Sequence, residues 1–363
     1  MDLSAVRAGL PVLERYAYLN AGTNGPLPRR AAAAMARELE RDLREGRSSK
    51  PYFESMLHGR EELRRALARV LGATPETVAL ASSTTEACNI VLTGLGIGSS
   101  DQVVTTDSEH PGLFGGLRAS GADLRVVALR DRPAAEALEA LAEAVTRKTR
   151  LIALSHVSWL TGAVFPVREL AGRGVPLLVD GAQAAGAIPV DVEELGCDFY
   201  TVSAQKWLLG PDVTGCLYVR PERVDELRMT FPSYGSWDWE AEEPYTARPG
   251  AARFDPGWIP LGSIAGLLES LAFADEAGES RFEHARETAA RCRALLADRY
   301  EVVTEPDQAT LVSWKPDGDS GVAVERLAAA GVIVRELPAI GWLRASCGFW
   351  TSDDDLERLV GAL

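Results

Sequence analysis

The sequence predicts an α/β protein: a large unit built on a mainly parallel, seven-stranded sheet, followed by a small α+β unit. Two observations predict it. Between about residues 76 and 220, seven short runs rich in Val, Leu and Ile alternate with helical patterns, and most of them lack polar alternation. Strands buried on both faces read this way, and helices covering both faces are the mark of a parallel sheet. The chain is also long enough for such a core. It has 363 residues, of which 46% are AVILMFWYC and 25% DEKR, an ordinary globular mixture that excludes disordered and fibrous classes.

Taken in order, the N-terminal stretch through Tyr18 is charged and amphipathic, without the apolar segment of a signal peptide. Residues 29–47 and 52–72 read as amphipathic helices separated by Ser48-Ser49-Lys50-Pro51. The seven strand candidates are 77–81, 102–105, 124–129, 151–154, 176–179, 199–202 and 215–219. Residues 221–260 lose this rhythm, carry Trp237, Trp239, Trp258 and repeated prolines, and read as long loops. A single helix is expected over 261–280. The order helix, strand, strand, helix, strand, strand, helix is expected over 281–363, the last helix capped by Ser352 with Asp355 at the capping-box position. The domain boundaries that follow are 16–260 and 261–363, with 1–15 packing on the small unit.

The charge balance, 38 Lys+Arg against 52 Asp+Glu, gives a net charge of -14 and argues against a nucleic-acid or anionic-lipid partner. No apolar run approaches the about 20 residues of a membrane span. Cys88, Cys197, Cys216, Cys292 and Cys347 are scattered, as are His58, His110, His156 and His284. No metal site is expected from such spacing, and the odd cysteine count suits reduced thiols in a cytoplasm.

The chemistry concentrates at strand ends. The buried run Leu177-Leu178-Val179 ends in Asp180-Gly181-Ala182-Gln183, at the edge where open α/β sheets bind ligands. The next run leads into Ser203-Ala204-Gln205-Lys206-Trp207 and the turn Gly210-Pro211. A lysine there is desolvated, which lowers its pKa and lets it form a Schiff base with a carbonyl. Lysine and aspartate at neighbouring strand ends match the needs of pyridoxal phosphate: one holds the aldehyde, the other the ring nitrogen's proton. Ser83-Thr84-Thr85-Glu86-Ala87, between a strand and a helix, can cradle a phosphate or simply cap the helix. Ser203 and Gln205 can add donors. His110, in Asp107-Ser108-Glu109-His110-Pro111, can lie on the ring or serve as a turn residue. No Gly-x-Gly-x-x-Gly follows the first strand, which argues against a dinucleotide site.

In the order and spacing of these residues the chain resembles the class V aminotransferase family of pyridoxal-phosphate fold type I. That group contains cysteine desulfurases, selenocysteine lyases, cystine/cysteine C–S lyases and isopenicillin-N epimerase-like proteins. The resemblance runs from Tyr18-Leu19-Asn20-Ala21-Gly22 to the final helix and is most specific in Val179-Asp180-Gly181-Ala182-Gln183 and Gln205-Lys206-Trp207. It implies that Lys206 holds the cofactor, Asp180 faces the ring nitrogen, Gln183 the ring hydroxyl, and His110 stacks on the ring. It places Thr84, Thr85, Glu86, Ser203 and Gln205 around the phosphate. It gives Arg344 to the substrate α-carboxylate, with Arg335, Asn20, Trp159 and Trp237 as further substrate contacts. The residue-level alternatives are a strand-edge charge for Arg344, an ion pair with Glu336 or another carboxylate for Arg335, and plain packing for the tryptophans. A homodimer with a shared site is also implied.

Departures from the family pattern narrow the reading. The stretch Val334-Arg335-Glu336-Leu337-Pro338-Ala339-Ile340-Gly341-Trp342, where desulfurases carry a nucleophilic cysteine, has none; Cys347 follows the arginine and reads as a core residue. Trp159 stands where desulfurases have Asn, as in the cystine C–S lyase branch. Gln205 replaces a usual His, and Trp258 falls where a partner subunit usually supplies a phosphate-binding Thr. The expectation is a β-eliminating C–S lyase without a catalytic cysteine. Transamination, epimerisation, decarboxylation and a cofactor-binding regulator are the alternatives.

Overall fold

The computed structural model of the chain describes residues 1–337 and 340–363. Pro338 and Ala339, inside the cysteine-free stretch, lie outside the described residues. Helix α1 (Leu3–Ala8) is capped by the Asp2 side chain, and a two-residue strand β1 (Ala17–Tyr18) follows. Helices α2 (Arg29–Glu45) and α3 (Lys50–Val70) are separated by Ser49, which caps α3, with Pro51 at a first-turn position that needs no amide proton. The seven apolar runs are strands: β2 (Val78–Ala81), β3 (Gln102–Thr106), β4 (Asp123–Val127), β5 (Thr149–Ser155), β6 (Leu177–Asp180), β7 (Phe199–Ser203) and β8 (Gly215–Val219). Helices α4 (Thr84–Gly94), α5 (Pro111–Ser120), α6 (Ala137–Ala144), α7 (Val167–Leu170) and α8 (Val192–Leu195) connect them.

The sheet order is β2-β8-β7-β6-β5-β3-β4. Five strands from β7 to β4 are parallel, and β8 runs antiparallel between β7 and β2. Because β8 reverses twice, β2 ends on the same edge as the parallel set. Successive residues face opposite layers: Val179 joins Leu67, Leu80, Ile152 and Leu267 on one side, whereas Leu178 joins Val91, Leu117, Leu151 and Leu217 on the other.

The helix expected over 261–280 is α9 (Leu261–Glu276), and the helix expected to open the small unit is α10 (Ser280–Ala297). The chain turns between them at Gly278, whose φ of +73° is open to glycine. Helix α9 packs against α2 and α3. The rest is β9 (Glu301–Val302), β10 (Leu311–Lys315), α11 (Ser320–Ala329), β11 (Val332–Ile333), β12 (Arg335–Leu337), β13 (Trp342–Ser346) and α12 (Asp353–Ala362). The expected strand before β13 is therefore broken in two. β11 pairs in parallel with β1, while β12, β13, β10 and β9 form an antiparallel sheet over a core of Trp314, Leu327, Leu343 and Leu359. Ser352 and Asp355 form the capping box of α12, and Asp355 also pairs with Arg7 at 2.6 Å, fixing the N-terminal segment there. Among the described residues, no helix is long and apolar enough to cross a membrane.

Candidate active site

The shared carboxyl edge of β2, β3, β5, β6 and β7 gathers the residues singled out in the sequence. Asp180 is the buried last residue of β6, and its Oδ1 accepts the Ala182 amide at 2.9 Å. Burial pushes its carboxyl above the ordinary value, against the opposing pull of Lys206 and that amide. Lys206 follows the adjacent strand. Burial brings its amine down to about 8; Asp180 resists that shift and Arg344 adds to it. A lysine at this level carries a sizeable neutral fraction near physiological pH, which a solvated lysine does not.

Helix α4 opens beside this pair. Ser83 caps it by accepting the Glu86 amide at 3.2 Å, so the capping reading of the motif is realised. The Glu86 carboxylate turns back to the Ser82 amide at 2.5 Å. Thr84 is buried against Ser203, its amide donating to Ser203 Oγ at 3.0 Å, which joins the ends of β2 and β7 across β8. Thr85 is exposed at the start of the helix. Gln205 presents a buried Oε1 with no hydrogen-bond partner among the described residues, while its backbone carbonyl accepts the Gly25 amide at 2.8 Å. The opening of α4, with the Thr84 and Ser203 hydroxyls 3.2 Å apart, thus lies at the same sheet edge as Lys206, and a helix start of this kind can receive an anion.

His110 is both a turn residue and a wall of this space. It caps α5, with Nδ1 accepting the Gly112 amide at 3.1 Å. Its ring stands edge-on to Trp159 at 5.1 Å between centroids. Burial, then the charges of Lys206, Arg344 and Arg335, push its pKa down to about 4, so it is neutral with the proton on Nε2.

Gln183 is pinned: its Oε1 accepts from Trp207 Nε1 and its Nε2 donates to the Gly22 carbonyl, both at 2.9 Å. Trp207 therefore fixes the Gln183 amide, a role sequence reasoning does not assign to it. Asn20 organises the N-terminal turn, accepting from Thr23 Oγ1 at 2.8 Å. That turn lays Gly22 against the small unit, where a Cβ would stand 2.6 Å from Arg344 Nη2. Only glycine leaves the guanidinium its place.

Arg344, on β13, is 1% exposed. Its Nη1 donates to the Trp159 carbonyl at 2.7 Å, and its Nε is buried without a partner among the described residues. Burial and neighbouring Arg335 bring the guanidinium down to about 9. Arg335 sits directly opposite Arg344 in the β12–β13 register, exposed, with no ion pair among the described residues. Like charges facing each other across a ladder are unfavourable without an anion between them. The strand-edge reading of Arg344 and the ion-pair reading of Arg335 both fail here. Trp237 packs within its own loop, edge-on to Tyr245 and bridged to Ala247. Trp258 stacks on Tyr52 and meets Phe53 edge-on.

The model described as "Aminotransferase class-V" matches residues 17–359. The chain belongs to the class-V aminotransferase family. Isopenicillin N epimerase of Streptomyces clavuligerus is 31% identical over 95% of this chain and 93% of its own length. A cysteine desulfurase of Klebsiella pneumoniae is 30% identical over 84% of this chain and 81% of its own. Among solved structures, a lysine-to-alanine mutant of C-DES with glycine covalently linked to its PLP cofactor superposes with a TM-score of 0.92. It is 28% identical, with 98% of each chain covered. A complex of the cystine C–S lyase C-DES with its product cysteine persulfide gives 0.91 at 28% identity, covering 97% of this chain and 98% of the other.

Class-V aminotransferases depend on pyridoxal phosphate, and this site fits it: Lys206 with its lowered pKa follows one strand end, buried Asp180 closes the adjacent strand, and α4 opens at the end of β2 on the same edge. When bound, the cofactor supplies an electron sink for charge developing at a substrate's Cα.

Proposed function

We propose that this class-V aminotransferase-family enzyme is a C–S lyase acting on cysteine, cystine or an S-substituted cysteine, without an enzyme cysteine. The observation that carries this reading is the wall around Arg344. It offers a buried cation, a second arginine opposite it and the Trp159 ring, while the stretch 334–342 has no thiol. All five cysteines are buried. Contact with Cys292, then burial, keeps the Cys347 thiol well above its ordinary value, and a protonated thiol is a poor nucleophile. The likeness to the cystine C–S lyase C-DES supports the same reading.

In the proposed reaction Arg344 holds the α-carboxylate and so orients the bond to be broken. Lys206 would hold the cofactor's aldehyde carbon, and Asp180 the proton on its ring nitrogen. Once released, the Lys206 amine takes the Cα proton, and the electron pair of that bond moves to expel sulfur from Cβ. Addition of water balances the products: pyruvate, ammonium, and a thiol, or cysteine persulfide when cystine is the substrate. Gln205, Ser203 and Thr84 would hold the phosphate end, which would keep the reacting atoms in register with Lys206.

Arg344→Lys tests the clamp. It keeps a charge but loses the two-pronged geometry, so KM is expected to rise on the order of 10- to 100-fold, from about 1.5–3 kcal/mol of charge-assisted hydrogen bonding. An unchanged KM would remove Arg344 from the substrate site.

The likeness to isopenicillin N epimerase favours epimerisation as the second reading. Incubating the purified protein with cysteine, cystine and S-substituted cysteines separates the two. Pyruvate with a stoichiometric thiol or persulfide supports the lyase. Deuterium uptake at Cα without pyruvate supports the epimerase, and accumulation of pyridoxamine phosphate without pyruvate points to transamination.

A homodimer belongs to this proposal. Phe231, Tyr234, Trp239, Tyr245 and Trp258 are exposed along the 231–258 loops, an apolar surface suited to a second copy, and light scattering on the purified protein would test it. The division at residues 260/261 and a reducing, cytoplasmic setting for the five free thiols are part of the same reading.

A further inference from the structure

Glu109 precedes His110 and is 8% exposed. Its carboxylate accepts three hydrogen bonds: Oε1 from Thr106 Oγ1 at 2.6 Å, Oε2 from the Ser155 amide at 2.8 Å and from Ser155 Oγ at 2.6 Å. Thr106 is the last residue of β3 and Ser155 the last of β5. Ser155 in turn is the register partner of Asp180, and the next residue's amide, His156, donates to the Asp180 carbonyl at 2.9 Å.

A second carboxylate from the same loop acts on the other side. Asp107 accepts the amides of Leu129 at 2.8 Å and Arg130 at 3.0 Å, just beyond β4. β4 and β5 are the two neighbours of β3. The loop that ends in His110 is therefore stapled to both flanking strands, and the Glu109 staple is the one that reaches the strand pair carrying Asp180.

Burying a carboxylate without a cation is costly, and burial brings the Glu109 carboxyl up to about 7, with Ser155 and Thr106 acting against that rise and Asp180 adding to it. A chain that only needed a turn at this point has cheaper residues for it. A buried acceptor taking three donors from two strand ends fixes distances that an apolar side chain would leave loose.

We infer that Glu109 is a positioning residue of the cofactor site, holding the His110 ring and the Asp180 strand end in fixed relation. It touches neither cofactor nor substrate and acts through His110 and Ser155. The inference deepens the cofactor reading of the site and does not depend on which amino acid is turned over.

The test is made on protein loaded with pyridoxal phosphate, reading the circular dichroism of the cofactor's visible band, which reports how asymmetrically the ring is held. Glu109→Met fills the space without an acceptor, and is expected to cut that signal at least threefold per bound cofactor, with far-ultraviolet dichroism unchanged. Glu109→Gln can accept from Ser155 and donate to Thr106, and is expected to restore the signal to within about 1.5-fold of the parent. If Glu109→Met does not fold, Thr106→Val removes one of the three donors with little change of shape and is expected to lower the signal in the same direction. A parental signal in Glu109→Met, or in Thr106→Val where that variant stands in, would overturn the inference, as would a folded Glu109→Gln that fails to restore it. Complete loss of the visible band in the parent protein would instead overturn the cofactor reading.

Discussion

Lys206→Ala is expected to abolish the cofactor's visible absorption band and lower turnover by about 10³-fold or more, since a positioned general base alone contributes about 10²- to 10⁴-fold. The size of the effect follows from where the amine sits. It lies between Asp180, which favours its charge, and burial with Arg344, which oppose it, and the balance falls at about 8. No other lysine is near: the remaining ones, Lys50, Lys148 and Lys315, are exposed. The same balance gives a pH dependence. Only the neutral amine attacks a carbonyl, so uptake of pyridoxal phosphate by the stripped protein should climb with pH through about 8. Its rate at pH 9 should be about tenfold that at pH 7. Flat uptake across that range, or a Lys206→Ala protein that keeps its yellow band, would remove Lys206 from the role proposed for it.

The strands that carry this site were legible because they are buried on both faces. Val179, Leu178 and their neighbours have no polar alternation to hide the run, and a charged residue ending such a run stands out, as Asp180 and Lys206 do. A short-range signal also reads through: the Ser352 cap is set by residues a turn apart, whereas the stretch read as a break at 48–51 is in fact the capped start of α3. Other features depend on contacts between segments far apart in the chain. The two-residue pair β1–β11 has no periodicity to detect. The pinning of Gln183 by Trp207 and Gly22, and the seating of Gly22 on Arg344, join residues more than 20 positions apart through side chains that each have ordinary alternatives. The Glu109 staple is of the same kind. A glutamate before a histidine in a loop looks solvated until Ser155, 46 residues on, is seen to close over it.

Asp255→Ala is expected to cost about 3–5 kcal/mol of stability, the largest loss for any single substitution considered, seen as a lower urea midpoint. The Asp255 side chain is 0% exposed, and it accepts from Arg60 Nη2 at 2.9 Å, Arg64 Nη2 at 2.7 Å and the Leu80 amide at 2.8 Å. Burial works against the Arg64 charge, but Asp255 and then Glu61 outweigh it and hold that guanidinium above its ordinary value. Alanine would leave two buried guanidiniums and a strand amide without their acceptor. It would also free the 251–258 loop from β2 and α3, carrying Trp258 with it. The cost lies in the under-compensated charges more than in the pair itself: Arg64 keeps Glu61 at 3.2 Å, Arg60 keeps only the Pro256 carbonyl at 3.0 Å, and desolvating an ion pair consumes most of its Coulombic gain. Replacing the whole cluster, Arg60→Met, Arg64→Leu and Asp255→Leu together, should therefore cost less than Asp255→Ala alone. If the triple variant is the less stable of the two, the arginines are held by packing of their stems and not by the buried carboxylate.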